Sequence, residues 1–88
     1  MKLSTNRDLY DYLVSLSEQL KSRGAEELGT LVADASRLTW DIPATPFLGE
    51  SRLALREVAR KAGALLNQEE HSDLADVLGQ LDTAFDRR

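Results

Sequence analysis

The sequence predicts an all-α protein, an up-down four-helix bundle in which two antiparallel helical hairpins form a single domain over residues 1–88. Apolar residues recur at intervals of three and four in four successive segments, which is typical of amphipathic helices. Acidic residues gather near the start of each segment and basic residues near its end, the order that the helix dipole favours. No segment of useful length alternates apolar and polar residues as a strand does.

The first two helices are predicted over residues 6–23 and 25–39. Thr5 and Asp8 have the spacing of a capping box at the first helix start. Gly24 is suited to end that helix in a left-handed conformation, and the resulting short turn predicts an antiparallel hairpin. The predicted core residues of the two helices are Leu9, Tyr12, Leu13, Leu16, Leu20, Leu28, Leu31, Val32, Ala35 and Leu38.

A linker over residues 40–45 is predicted to join the two hairpins. Proline disfavours the α conformation in the residue before it, so Ile42 and Thr45 are predicted to be extended. Thr45 then caps a third helix over 46–66. Asn67 is predicted to end this helix and to cap a fourth helix over 68–85. The predicted core residues here are Leu48, Leu55, Val58, Ala59, Ala62, Leu65, Leu66, Leu74, Val77, Leu78, Leu81, Ala84 and Phe85.

Charge and composition limit the classes of partner and location. The net charge of −4 disfavours binding to nucleic acid or to an anionic membrane, because both require a basic surface. No apolar run approaches the ~20 residues of a membrane span. The N-terminus turns polar at once, so no signal peptide is predicted, and the protein is expected to be soluble and cytoplasmic.

The sequence offers little material for catalysis. His71 is the only histidine, the chain has no cysteine, and the five glycines do not form a phosphate-binding loop. His71 also lacks the Glu-x-x-His spacing of a metal-binding bundle. The protein is therefore predicted not to be an enzyme and to bind no metal or cofactor. An acid–base enzyme with clustered carboxylates is an alternative, and it requires a carboxylate with a raised pKa.

One short motif suggests a different class of function. Glu50-Ser51-Arg52 resembles the Asp-Ser-Leu motif of acyl carrier proteins, which are acidic four-helix proteins that carry phosphopantetheine on the serine. The resemblance covers about six residues, both residues beside Ser51 differ from the motif, and the long loop of that family is replaced by a regular helical pattern. The resemblance implies a carrier or a small-ligand-binding bundle, with Ser51 or the interior as the site. Ser51 is otherwise interpreted as a small residue on the core face.

Several residues outside the predicted core faces are candidates for binding a partner. Tyr10, Val14 and Leu53 point away from the core lines of their helices. Trp40 lies in the linker and Phe47 lies just after it, where they are interpreted as closing one end of the bundle or as contacting a partner. Arg52, Arg56 and Arg60 form a basic edge. They are expected to pair with acids of a neighbouring helix such as Asp34, Asp76 or Asp82, with an acidic or phosphate-bearing partner as the alternative.

The function predicted from these observations is a non-catalytic protein–protein interaction or regulatory module. Its expected partner is another protein or a second copy of the chain in a homodimer, with no nucleic acid, membrane or metal involved. A small acidic helical protein of this kind can neutralise a basic partner, as an antitoxin or an immunity protein does.

Overall fold

Four helices form the fold in the computed structural model, which describes residues 3–37 and 45–86. Helix α1 is Asn6–Ser22, α2 is Glu26–Arg37, α3 is Thr45–Lys61 and α4 is Gln68–Asp86, with a 3-10 turn at Gly63–Leu65. Helix α1 packs on α2, α2 on α3, and α3 on α4. The predicted all-α four-helix bundle is thus confirmed. Thr45 was predicted to be extended and to cap α3, but it is the first residue of that helix. The rest of the predicted linker, including Trp40, lies outside the described residues, as do Leu38 and the side chain of Phe85.

The first hairpin begins and turns as the sequence predicts. The Thr5 hydroxyl accepts a hydrogen bond from the Asp8 amide at 3.2 Å, and the Asp8 carboxylate accepts one from the Thr5 amide at 3.2 Å. These reciprocal bonds satisfy two amide groups that the first helical turn leaves free. Gly24 has a φ of 88°, the left-handed conformation that allows α2 to follow α1 directly.

The third helix is shorter than predicted, since it ends at Lys61 and not at residue 66. The last α-helical hydrogen bond runs from the Ala62 amide to the Val58 carbonyl, and Gly63 then begins the 3-10 turn. Glycine is the weakest helix former after proline, so a tighter turn replaces the α-helix here. Leu65, predicted to be a core residue, is consequently 39% exposed. Ala59 and Ala84 are also exposed, contrary to the prediction.

Asn67 caps helix α4, as the sequence predicts. Its side-chain oxygen accepts a hydrogen bond from the Glu70 amide at 2.8 Å, and the Glu70 carboxylate accepts one from the Asn67 amide at 2.9 Å. The guanidinium of Arg23 donates to both oxygens of Glu70, at 2.6 and 2.8 Å, and to the carbonyl of Leu65 at 2.8 Å. Arg23 therefore fastens the end of α1 to the start of α4.

This contact predicts a stability change at acid pH. The hydrogen bond from Arg23, with that from the Asn67 amide, lowers the pKa of Glu70 below its ordinary value of 4.5. A carboxylate whose pKa is lowered by folding stabilises the fold above its unfolded pKa, and loses this effect as the pH falls through the folded pKa. The urea midpoint of the wild type should therefore be higher than that of Glu70→Gln by a constant amount from pH 7 to about 5. The difference should shrink at lower pH.

The neighbouring carboxylate provides the control for this experiment. Glu69 is exposed and belongs to the same helical turn. A Glu69→Gln variant removes the same charge without touching Arg23, so its difference from wild type should vary much less over that pH range. An equal pH dependence for both variants would show that the dipole of α4, and not the Arg23 contact, accounts for the effect.

The core is continuous and mostly aliphatic, and it draws on all four helices. Its buried side chains are Leu9, Leu13, Leu16, Leu20, Val32, Ala35, Phe47, Ala54, Leu55, Val58, Ala62, Leu66, Leu74, Val77 and Leu81. Leu31 is an exception to the prediction, because 40% of it remains exposed at the side of α2 that faces α3. No helix in the described ranges combines the length and the apolar character needed to cross a membrane.

Candidate functional site

The apolar residues predicted to bind a partner fall into different environments. Leu53 is 56% exposed, as predicted from its position off the core line of α3. Tyr10 and Val14 are only half-buried, and Tyr10 packs against the core with Arg7 5.9 Å from its ring centre. Phe47 is fully buried, which fits its interpretation as a residue that closes the bundle and corrects its placement on a partner-binding surface. Of these four residues, Leu53 is the most exposed.

The predicted basic edge is largely engaged within the chain. Arg52 and Arg56 donate to the same oxygen of Asp82 on α4, at 2.6 and 3.1 Å, so the expected pairing with a neighbouring helix is confirmed for both. The hydrogen bond from Arg52 lowers the pKa of Asp82. Arg60 differs from the expectation, since it pairs with Glu57 of its own helix at 2.6 Å. These pairs leave little support for the alternative of an acidic partner on this edge.

An apolar groove lies between α2 and α3. Its deeper part is a hollow of about 430 Å³, with Leu31 and Leu53 at its edges and the buried residues Ala35 and Ala54 at its base. Alanine leaves room between the two helices because its side chain is a single methyl group. Leu31 and Leu53 are two of the three large apolar residues that are exposed in the described part of the chain, and both line this hollow.

The groove continues along both helices into a second, more open hollow. This hollow shares Leu31 and Glu57 with the first and extends to Gly24 and Lys61. The start of α2 and the end of α3, at Lys61, line this second hollow together. The two helices are therefore antiparallel, and the groove runs along both of them. We refer to the two hollows together as the α2/α3 groove.

Carboxylates outnumber basic groups along the α2/α3 groove. The acidic residues that line it are Glu26, Glu27, Asp34, Glu50 and Glu57, and the basic residues are Lys21 and Lys61. Glu57 is engaged by Arg60 and Lys61, which lower its pKa. Glu50 makes no ion pair with any residue that the structure describes. The groove is therefore an apolar strip with an acidic rim.

A second cleft, between α1 and α4, is also acidic, but most of its carboxylates make contacts that stabilise the fold. It measures about 410 Å³ and contains Asp8, Asp11, Glu70 and Asp73. Asp8 caps α1, Asp11 pairs with Arg7 at 3.1 Å, and Glu70 binds Arg23. Tyr12 lies in this cleft, where burial and then the charges of Asp73 and Glu70 raise its pKa. Three of the four carboxylates of this cleft are thus engaged by groups of the chain itself.

The residues considered for chemistry also have structural contacts. Ser51 is 0% exposed, and its hydroxyl donates to the Phe47 carbonyl at 2.6 Å, so its burial does not support its use as an attachment point. A ring nitrogen of His71 lies 2.7 Å from the Gly63 carbonyl, where it supports the 3-10 turn. Hydrogen bonds from basic side chains lower the pKa of Glu57, Glu70 and Asp82. A general acid requires the opposite direction.

Leu31 was not predicted to be a surface residue, because it lies on the apolar stripe of α2. A helical period locates a stripe but does not tell how much of it a neighbouring helix covers. The acids at positions 34, 50 and 57 were visible in the sequence, but their convergence on one groove depends on how α2 and α3 face each other. No protein-family model, curated protein or solved structure matches this chain significantly.

Proposed function

We propose that this chain is a non-catalytic protein–protein interaction module that binds another protein through the α2/α3 groove. The observation that carries the proposal is the exposure of Leu31 and Leu53 on one groove with an apolar base. Single exposed leucines are common on protein surfaces, whereas an apolar strip with a polar rim is the usual composition of an interface.

The energetics favour covering this groove. Two partly exposed leucines each gain on the order of 1 kcal/mol when a partner removes the remaining apolar surface from water. Charged groups at the rim add specificity and speed of association more than affinity. The groove therefore has the components of a small interface whose apolar centre supplies affinity and whose carboxylates select the partner.

A second copy of this chain is a poor occupant on electrostatic grounds. In a two-fold dimer each surface patch meets the same patch of its partner. Because carboxylates outnumber basic groups along the groove, a dimer through it brings together two surfaces of net negative charge, which repel each other. The proposal therefore assigns the groove to a different protein.

Truncating the two leucines tests the proposal. The partner should co-purify with the wild-type chain from its source cell. We expect the amount of this partner to be at least about tenfold lower with the double variant Leu31→Ser, Leu53→Ser, as measured by quantitative mass spectrometry. The loss follows from removing the apolar centre of the interface. Both side chains are already 40% and 56% exposed, so we expect the helical circular dichroism of the variant to match wild type.

Leu65 supplies a matched control. It is 39% exposed, against 40% for Leu31, but it lies in the 3-10 turn and outside the groove. Leu65→Ser should keep the co-purifying partner. A folded Leu31→Ser, Leu53→Ser variant that retains the partner, or an equal loss with Leu65→Ser, contradicts the proposal.

A further inference from the structure

We infer that the occupant of the α2/α3 groove is an amphipathic helix of the partner protein whose apolar face is flanked by lysine or arginine. This inference rests on the proposed function and names the chemistry of its partner. Three features of the groove carry it, namely its shape, its base and the distribution of charge along its rim.

The shape of the groove suits a helix. Two antiparallel helices leave a straight furrow between them, and a third helix packs into such a furrow by inserting its ridge of side chains. On α2 the lining residues run from Glu26 to Ala35, which corresponds to about 14 Å at the rise of an α-helix. A partner segment of about three helical turns covers this length.

The base of the groove suits large apolar anchors. Ala35 and Ala54 are buried at the bottom of the 430 Å³ hollow, and Leu31 and Leu53 stand at its edges. A leucine or phenylalanine from the partner fills this hollow and contacts both exposed leucines. A partner helix presents such anchors at spacings of three, four and seven residues, which matches the length of the furrow.

The rim selects a basic helix. The hollow at the Leu53 end is lined by Asp34, Glu50 and Glu57 and by no basic residue. The two lysines of the groove, Lys21 and Lys61, line only the other hollow. Asp34 contacts Arg37 at 3.3 Å, but 61% of its side chain remains exposed, so its carboxylate stays accessible to a partner. Lysine or arginine of the partner is therefore expected beside Asp34 and Glu50.

Two synthetic peptides test the inference with the full-length chain. Both have 14 residues with leucines on one helical face. One carries lysines at the flanking positions and the other carries glutamates. We expect the lysine peptide to bind at least about tenfold more tightly in fluorescence anisotropy, to become helical on binding, and to bind more weakly at high salt. Equal affinities for the two peptides overturn the inference.

Matched charge variants separate binding in the groove from general attraction to an acidic protein. Asp34→Asn with Glu50→Gln removes two charges from the rim, whereas Glu18→Gln with Glu69→Gln removes two exposed charges elsewhere. The rim variant should bind the lysine peptide about fivefold more weakly than wild type, which is the effect expected from losing two exposed ion pairs. The distant variant should bind it less than about twofold more weakly. Equal weakening by both variants overturns the inference.

Two further outcomes distinguish this inference from the proposed function. If neither peptide binds while co-purification still depends on Leu31 and Leu53, the interaction module stands and the basic helix is wrong. If sedimentation shows a dimer that Leu31→Ser, Leu53→Ser converts to a monomer, the occupant is a second copy and the inference is wrong. Binding of the lysine peptide that Leu31→Ser, Leu53→Ser abolishes supports it.

Discussion

Replacing Phe47 with alanine should lower the free energy of unfolding by about 3–5 kcal/mol, the range for removing a large side chain from a packed core. Phe47 is the largest of the fully buried side chains and lies within the first turn of α3. A domain of this size has a total stability of about 5–15 kcal/mol, so the variant should be marginally folded at 25 °C. Urea unfolding followed by circular dichroism measures the loss.

Phe47→Leu is the control for this prediction, because leucine retains an apolar side chain and leaves a smaller cavity. We expect Phe47→Leu to lower the free energy of unfolding by less than about 1.5 kcal/mol. Phe47 was also a candidate partner residue, and its burial predicts that Phe47→Leu keeps the co-purifying partner. A Phe47→Ala variant as stable as wild type, or a Phe47→Leu variant that is stable but has lost the partner, contradicts this assignment.

The helix boundaries that the sequence predicted well are those fixed by local contacts. Thr5 and Asp8 are three residues apart, and the structure joins them in the expected capping box. Gly24 has the predicted left-handed backbone, and Asn67 caps α4 through Glu70. These features depend on neighbours within one turn, so residue type and spacing are sufficient to predict them.

Features that depend on packing between helices were predicted less well. Leu65 was expected in the core because it continues the apolar spacing of α3, but the 3-10 turn rotates it towards solvent. Leu31 was expected in the core because it belongs to the stripe of α2, but α3 covers only part of it. Periodicity describes one helix at a time, whereas exposure depends on the relative rotation of two helices.

The distribution of charge shows the same difference between a sequence and its fold. The net charge of −4 predicts an acidic surface but not its location. Within the described residues, Arg52 and Arg56 share the acid Asp82, and Arg23 is bound to Glu70. These pairs place basic groups on the α4 side of the bundle, while the α2/α3 groove keeps an excess of carboxylates. The candidate site therefore depends on where the fold places the charged residues, which the net charge does not tell.

Gly29 marks a close approach of α1 and α2. It is buried, and its carbonyl accepts a hydrogen bond from the Ser17 hydroxyl at 2.8 Å. A Cβ atom at this position lies 2.6 Å from the Lys21 Cγ and 3.0 Å from the Ser17 carbonyl oxygen. Lysine can move, but the backbone oxygen moves only if the two helices separate.

We therefore expect Gly29→Val to lower the free energy of unfolding by about 2 kcal/mol, within the range for overpacking a close contact. Gly79 provides the control, since it also lies within a helix but a Cβ atom added there has no neighbour within 4 Å. Gly79→Ala should raise the stability by about 0.5–1 kcal/mol, because alanine is the better helix former. Urea unfolding of both variants measures the two effects. Opposite signs support the close approach at Gly29, whereas a stabilising Gly29→Val contradicts it.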